Sequence, residues 1–194
     1  MLPPRRSRRH DVSYPDVQLE TERLILRLPR REDFEPYADF SGDEETMRHL
    51  GGVQPPPVAW RSLAGLVGSW QLLGFGMFSV IEKASGDWIG RVGPWQPFGW
   101  PGTEVGWSLR RASWGQGYGP EAAAATIDWA FDTLDWDQVI HTIDRANAGS
   151  KRVAEKLGSR FLRMGLLPAP FDGNPVEIWG QTRAQWQAAR ATRA

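Results

Sequence analysis

The sequence predicts an α+β, or mixed α/β, fold built on one central sheet. Three observations carry that expectation. From Gly76 the apolar residues alternate with period two over residues 77–81, 88–93 and 104–109, the pattern of half-buried strands joined as an antiparallel meander. Before and after that block, apolar residues three and four apart read as helices, broken by short strands. The length of 194 residues, 41% hydrophobic and 24% charged, suits one globular domain with a sizeable core.

In chain order, residues 1–16 are Pro/Arg-rich and poor in apolar side chains, so they read as a basic N-terminal arm, with a single domain over 17–194. Residues 24–28 (Leu-Ile-Leu-Arg-Leu) form the first expected strand. Residues 30–33 open a helix with Phe34, Tyr37, Ala38 and Phe40 on one face, and 43–50 form a second short one. The run Gly51-Gly52-Val53-Gln54-Pro55-Pro56-Pro57 reads as a loop, because a helix interior does not tolerate three prolines. Helical spacing resumes over 58–73. Residues 84–87 are the turn between two strands of the meander, and a Trp/Pro/Gly loop over 95–102 leads to the strand 104–109. A helix is expected from Pro120 to Leu134, a strand at 139–143 and a helix at 148–157 capped by Gly158. Strands at 161–164 and 176–179 and a helix at 182–191 complete the chain.

Composition excludes several classes of function. With 23 Lys+Arg against 23 Asp+Glu, the chain is not a globally basic nucleic-acid binder. The balance is uneven, since Arg5, Arg6, Arg8 and Arg9 lie in an acid-free start and residues 11–194 carry 19 basic against 23 acidic groups. The absence of Cys removes thiolate nucleophiles and Cys-based metal sites, and His10, His49 and His141 make no paired-histidine motif. No metal is expected. No run reaches 18 apolar residues and no apolar segment follows the arginines, so neither a membrane span nor a signal peptide is expected and the address reads as cytoplasmic.

The most informative segment is Trp114-Gly115-Gln116-Gly117-Tyr118-Gly119-Pro120-Glu121, between a strand and a helix. Alternate glycines let backbone N–H groups approach an anion closely, and a helix start adds about half a positive charge. Pro120 suits the first helical position, and Ala124, Ile127, Phe131 and Leu134 supply the buried stripe. A Walker loop needs Gly-Lys, which the chain lacks. The dinucleotide fingerprint and the nucleophile elbow also fail on spacing. Acyl-coenzyme A, held by backbone amides, remains as a ligand; equally, the loop reads as a tight strand-to-helix turn.

The chain from about Val17 to Trp186 resembles the GNAT superfamily of N-acetyltransferases, most closely the subgroup that includes ribosomal-protein N-terminal (alanine) acetyltransferases. The resemblance rests on Leu19-Glu20-Thr21-Glu22-Arg23-Leu24-Ile25-Leu26-Arg27, Glu104-Val105-Gly106-Trp107, residues 114–121, and Asn147-x-x-Ser150 followed by Glu155-Lys156-Leu157-Gly158. It implies a GNAT-like acyl-CoA fold, with a mostly antiparallel sheet splayed at the cofactor site between residues 104–109 and 139–143. It implies acetyl-CoA as donor and a primary amine, on a protein N-terminus or a small molecule, as acceptor. Leu109, Trp114, Gly115, Gln116, Gly117, Tyr118, Gly119, Asn147 and Ser150 would bind the donor, and a main-chain N–H near residues 107–109 would stabilise the oxyanion. The late tyrosine that serves many members as acid has no counterpart, since the tyrosines are Tyr14, Tyr37 and Tyr118.

For the base we choose Glu104, at the start of the strand leading to the loop, against its reading as a solvated charge on a strand end. Ser150 is the residue the subgroup resemblance offers near the sulfur, as acid. Asn147 also reads as a helix cap. His141 reads as a structural histidine, Asp128, Asp132, Asp135 and Asp137 as a solvated face, and Trp95, Phe98 and Trp100 as loop anchors more than as an acceptor wall. Two other readings stand beside the enzyme: a non-catalytic acyl-CoA-binding module, and docking on ribosomal or other nucleic acid through the arginine arm, although nucleic acid is not the expected partner. No membrane partner is expected, and a homodimer is left open.

Overall fold

The computed structural model describes residues 16–173 and 175–191; most of the arginine arm, with His10 and Tyr14, lies outside them. In chain order the elements are β1 (Gln18–Glu20), β2 (Leu24–Arg27), α1 (Phe34–Gly42), α2 (Glu44–Met47), α3 (Pro56–Leu73), β3 (Phe78–Glu82), β4 (Trp88–Trp95), β5 (Glu104–Leu109), α4 (Tyr118–Thr133), β6 (Gln138–Asp144), α5 (Ala148–Leu157), β7 (Arg160–Gly165), β8 (Val176–Thr182) and α6 (Arg183–Ala191). One eight-stranded sheet runs β1-β2-β3-β4-β5-β6-β8-β7. Every neighbouring pair is antiparallel except β5 and β6, which run parallel.

Alternation along the strands sorts the core onto two faces. On one face, Ala122, Ala123, Ile127 and Phe131 of α4, Leu157 of α5 and Trp186 of α6 bury against Leu24, Leu26, Val80, Ile89, Val92 and Val105. On the other, Tyr37, Phe40, Met47, Leu63 and Leu66 pack on Met77 and Trp88.

Four sequence expectations are corrected. The first strand is β1: with three residues, and Gln18 and Glu20 exposed, it carries too short an alternation to read. The triple proline is not all loop, because Pro55 caps α3 while Pro56 and Pro57 occupy its first turn, where no N–H partner is required. Helix α4 starts at Tyr118 with Gly117 as its cap, so Pro120 is its third residue and not its first. The aspartates are not simply a solvated face: Asp128 accepts from the Trp186 indole at 2.7 Å and pairs with Arg190, and Asp135 pairs with Arg183 at 2.7 Å, which docks α6.

Candidate active site

The site begins where the sheet divides. Strands β5 and β6 share one ladder pair, Glu104 with Ile140, closed by Ile140 N–H to Thr103 O at 2.9 Å. Beyond it the next β5 carbonyl facing β6, that of Val105, accepts 2.7 Å from His141 Nδ1 instead of from backbone. The imidazole is therefore a wedge in the ladder. Its Nε2 lies 2.9 Å from Ser159 Oγ, which accepts from Gln181 Nε2 at 2.9 Å. With Nδ1 donating to a carbonyl, Nε2 accepts the Ser159 hydroxyl proton, which fixes the tautomer. Burial holds His141 well below its usual range, at about 4, so it is neutral. Backbone groups alternate sides along a strand, so the N–H groups of Trp107 and Leu109 face the gap that the wedge opens.

The glycine loop closes one end of the gap. Gly115 and Gly117 have φ of 75° and 84°, a left-handed conformation that costs other residues about 1–2 kcal/mol. Among the described residues, no N–H of residues 115–119 donates to another protein group. Unpaired N–H groups at the start of a helix are the arrangement that suits an anion. The loop is held by the N-terminal strands: Arg23 Nη1 donates to Gln116 O at 2.9 Å, and Arg23 Nε and N–H donate to the Glu121 carboxylate at 2.7 and 3.0 Å. Thr21 Oγ1 donates to Glu121 at 2.5 Å, and the Arg23 guanidinium stacks 4.5 Å from the Tyr118 ring centre. A cavity of about 530 Å³ is lined by Leu109, Trp114, Gly115, Gly117, Tyr118, Gly119, Asn147 and Ser150, all expected cofactor residues. Gln116 is not in its lining; its amide turns back to Ala112 O at 3.0 Å.

A second cavity, of about 710 Å³, shares Trp107, Ser108, Asn147 and Ser150 with the first and has Glu104 in its wall. Glu104 is 5% exposed, not a solvated strand end. Its carboxylate accepts from the Trp100 indole and from Thr142 N–H and Oγ1 at 3.1 Å each. Burial pushes its carboxyl up to about 7, against the lowering pull of Trp100, Thr142 and the Arg91 guanidinium. A carboxylate with that affinity changes protonation near neutral pH and can take a proton from an ammonium. Trp95 and Trp100, edge-to-face at 6.5 Å, line this cavity and are more than loop anchors, whereas Phe98 is fully exposed.

Asn147 is the cap of α5, accepting 2.9 Å from Ser150 N–H, and lines both cavities. The Ser150 hydroxyl accepts 3.3 Å from the Trp107 indole. Tyr118 donates its hydroxyl to Glu82, on the side of β3. Sequence reasoning did not select Arg23, Thr142 or Arg91. Arg23 stood in the quoted N-terminal motif, but its partner lies 98 residues away; Thr142 alternates with His141 along β6, a pattern that does not separate an active from a structural residue. No group of three or more His, Asp or Glu among the described residues is placed to hold a metal ion, and no described helix is long and apolar enough to cross a membrane.

Comparisons with known proteins bear on the family and the fold. The sequence model described as Acetyltransferase (GNAT) domain matches residues 23–160. Two curated Bacillus proteins are similar: YkkB of B. subtilis, 33% identical over 75% of this chain and 86% of its own, and the N-acetyltransferase p20 of B. licheniformis, 28% identical over 77% and 84%. Among solved structures, an acetyltransferase from Agrobacterium tumefaciens superposes with TM-score 0.78 at 28% identity, over 90% of this chain and 99% of that one. The ribosomal-protein-S5-alanine acetyltransferase of Vibrio fischeri shares the fold at TM-score 0.66 and 22% identity, over 88% and 99%.

Proposed function

The chain belongs to the GNAT acetyltransferase family, and from that membership we propose how its cleft carries out the family's reaction. That reaction is the transfer of an acetyl group from acetyl-CoA to an amine. In this reading the free N–H groups of residues 115–119 and the start of α4 hold the donor's pyrophosphate, and the gap between β5 and β6 takes its pantetheine arm beside Asn147. The Trp107 N–H, facing the gap, stabilises the oxyanion that forms on the thioester carbonyl. Glu104, directly or through one water, takes the ammonium proton so that the amine can attack. As the C–S bond breaks, the Ser150 hydroxyl passes its proton to the departing thiolate and takes up the proton that the attacking nitrogen still carries in the tetrahedral intermediate, so the serine ends neutral. Holding amine and thioester together supplies the largest share, up to roughly 7–11 kcal/mol.

One observation carries this assignment: the cavity of the glycine loop and the cavity of Glu104 meet at Trp107, Ser108, Asn147 and Ser150. A module that only bound acyl-CoA would have no use for a buried carboxylate in the wall of the adjoining cavity. The test follows thiol release from acetyl-CoA across a panel of amines. Wild-type kcat/KM is expected to rise with pH through about 7 as Glu104 loses its proton. Glu104→Gln is expected to lose about 10²–10⁴-fold in turnover and that pH limb, with KM for acetyl-CoA retained. Equal turnover in Glu104→Gln rejects the base assignment; tight acetyl-CoA binding with no turnover on any amine favours the module.

A further inference from the structure

Four side chains form a row across the sheet: Arg27, Ser79, Arg91 and Ser108 are successive partners on β2, β3, β4 and β5 and so share one face. The row contains two arginines and is served by one acid. Asp33 accepts both Arg27 Nη groups at 2.9 and 2.6 Å, the Arg30 N–H at 2.9 Å and the Ser79 hydroxyl at 2.6 Å, three of them on Oδ2 and one on Oδ1, so the acid is committed to Arg27 and its neighbours. Arg91 receives no such partner. Among the described residues it makes no ion pair or hydrogen bond through its side chain, its Nε is buried without an acceptor, and the Tyr37 ring centre lies 5.8 Å from its guanidinium carbon. Other polar side chains of the cavity have partners: Arg48 with Glu45, His49 with Asp144 at 3.3 Å, Glu104 with Trp100 and Thr142. A guanidinium whose Nε is buried without an acceptor, near enough to Glu104 to lower its carboxyl yet not paired with it, is an exception that calls for one, and its planar fork matches a carboxylate.

Position says what the acceptor must be joined to. Arg91 and Trp95, the partner of Glu104, are four residues apart on β4, about 13 Å of strand, and both Arg91 and Glu104 reach into the same cavity. Two loops approach over that cavity, with Phe171 so near Gly51 that a Cβ there would lie 2.9 Å from its ring. We propose that the acceptor is a small free amine that also bears a carboxylate, such as an apolar α-amino acid, with the carboxylate on Arg91 and the amine at Glu104. The inference rests on the acetyl-transfer reading above and narrows its acceptor. Tyr37, Phe40 and Trp95 would receive the apolar body. A peptide N-terminus has an amide where this acceptor has its carboxylate and gives Arg91 nothing ionic to bind.

The experiment compares apolar α-amino acids with their carboxamides, their decarboxylated amines and short peptides of the same first residue, at saturating acetyl-CoA. Wild-type kcat/KM is expected to favour the free acids on the order of 10- to 100-fold. Arg91→Gln erases that preference, mainly through acceptor KM, with KM for acetyl-CoA unchanged, and Arg91→Lys restores part of it. Equal rates on acids and carboxamides, peptides used as well as free acids, or an Arg91→Gln loss uniform over all acceptors each overturn the proposal. Thermal melting with the same compounds reads the site without turnover. If no amine is acetylated but the acids raise the Tm of wild type and not of Arg91→Gln, the acetyl-transfer reading fails and the carboxylate site stands; if acids and carboxamides act alike, the site falls.

Discussion

Two buried titratable residues, one on each side of the sheet's division, make opposite demands on pH. His141 takes a proton near 6.5 when unfolded and near 4 when folded, so the stability it contributes is present above pH 6.5 and is lost as pH falls towards 4. Glu104 ionises near 4.5 when unfolded and about 7 when folded, so its contribution is present below pH 4.5 and is lost as pH rises through 7. Between about pH 4.5 and 6.5 the two slopes oppose each other, and each single variant is expected to expose the other. Urea unfolding of Glu104→Gln should give stability that rises with pH over that window, and His141→Asn stability that falls. Parallel slopes in the two variants would contradict this account. The sequence let Glu104 be chosen for its place on a strand, but not for its burial, because the groups that enclose it come from residues 100 and 142, on either side of a 16-residue helix.

At the scale of elements, the glycine loop owes its shape to the strands that begin the fold. Arg23 ties Gln116 O and Glu121 together, and although burial raises the Glu121 carboxyl, hydrogen bonds from Thr21 and Arg23 hold it below its usual range. Arg23→Ala is therefore expected to raise KM for acetyl-CoA about tenfold with little change in acceptor KM, read by thiol release. Gly117→Ala should act in the same direction, since φ is 84° and a Cβ would lie 3.3 Å from Arg23 Nη2. The alternate glycines and the apolar stripe made this strand–loop–helix unit legible to within two residues of its start. The misplaced start came from giving Pro120 the first position, when the left-handed Gly117 had already turned the chain into the helix. The meander was legible because its turns are local; β1 was not, because three residues at an edge are specified by their partner β2 and not by their own alternation.

Over the whole molecule, the order of strands and helices from β2 onward was legible and the splay of the sheet followed from the family resemblance, whereas the closure of the fold by α6 was not legible. That closure depends on long-range partners: Trp186 is 4% exposed and reaches Asp128 across 58 residues of chain. Trp186→Ala is expected to cost about 3–5 kcal/mol and to lower Tm by roughly 10 °C, while KM for acetyl-CoA at 20 °C stays the same, because α6 touches neither cavity. Arg91 escaped the sequence for a related reason, since an arginine between a glycine and a valine on a strand reveals nothing of the acid it lacks. The tie between Arg23 and Glu121 reaches furthest. If the loop holds the donor as proposed, β1 and β2 support that site without lining it, and their opening is linked to release of the donor. Saturating acetyl-CoA should therefore slow amide hydrogen exchange over residues 18–27 as well as at the loop nearly a hundred residues further along, and Arg23→Ala should uncouple the two.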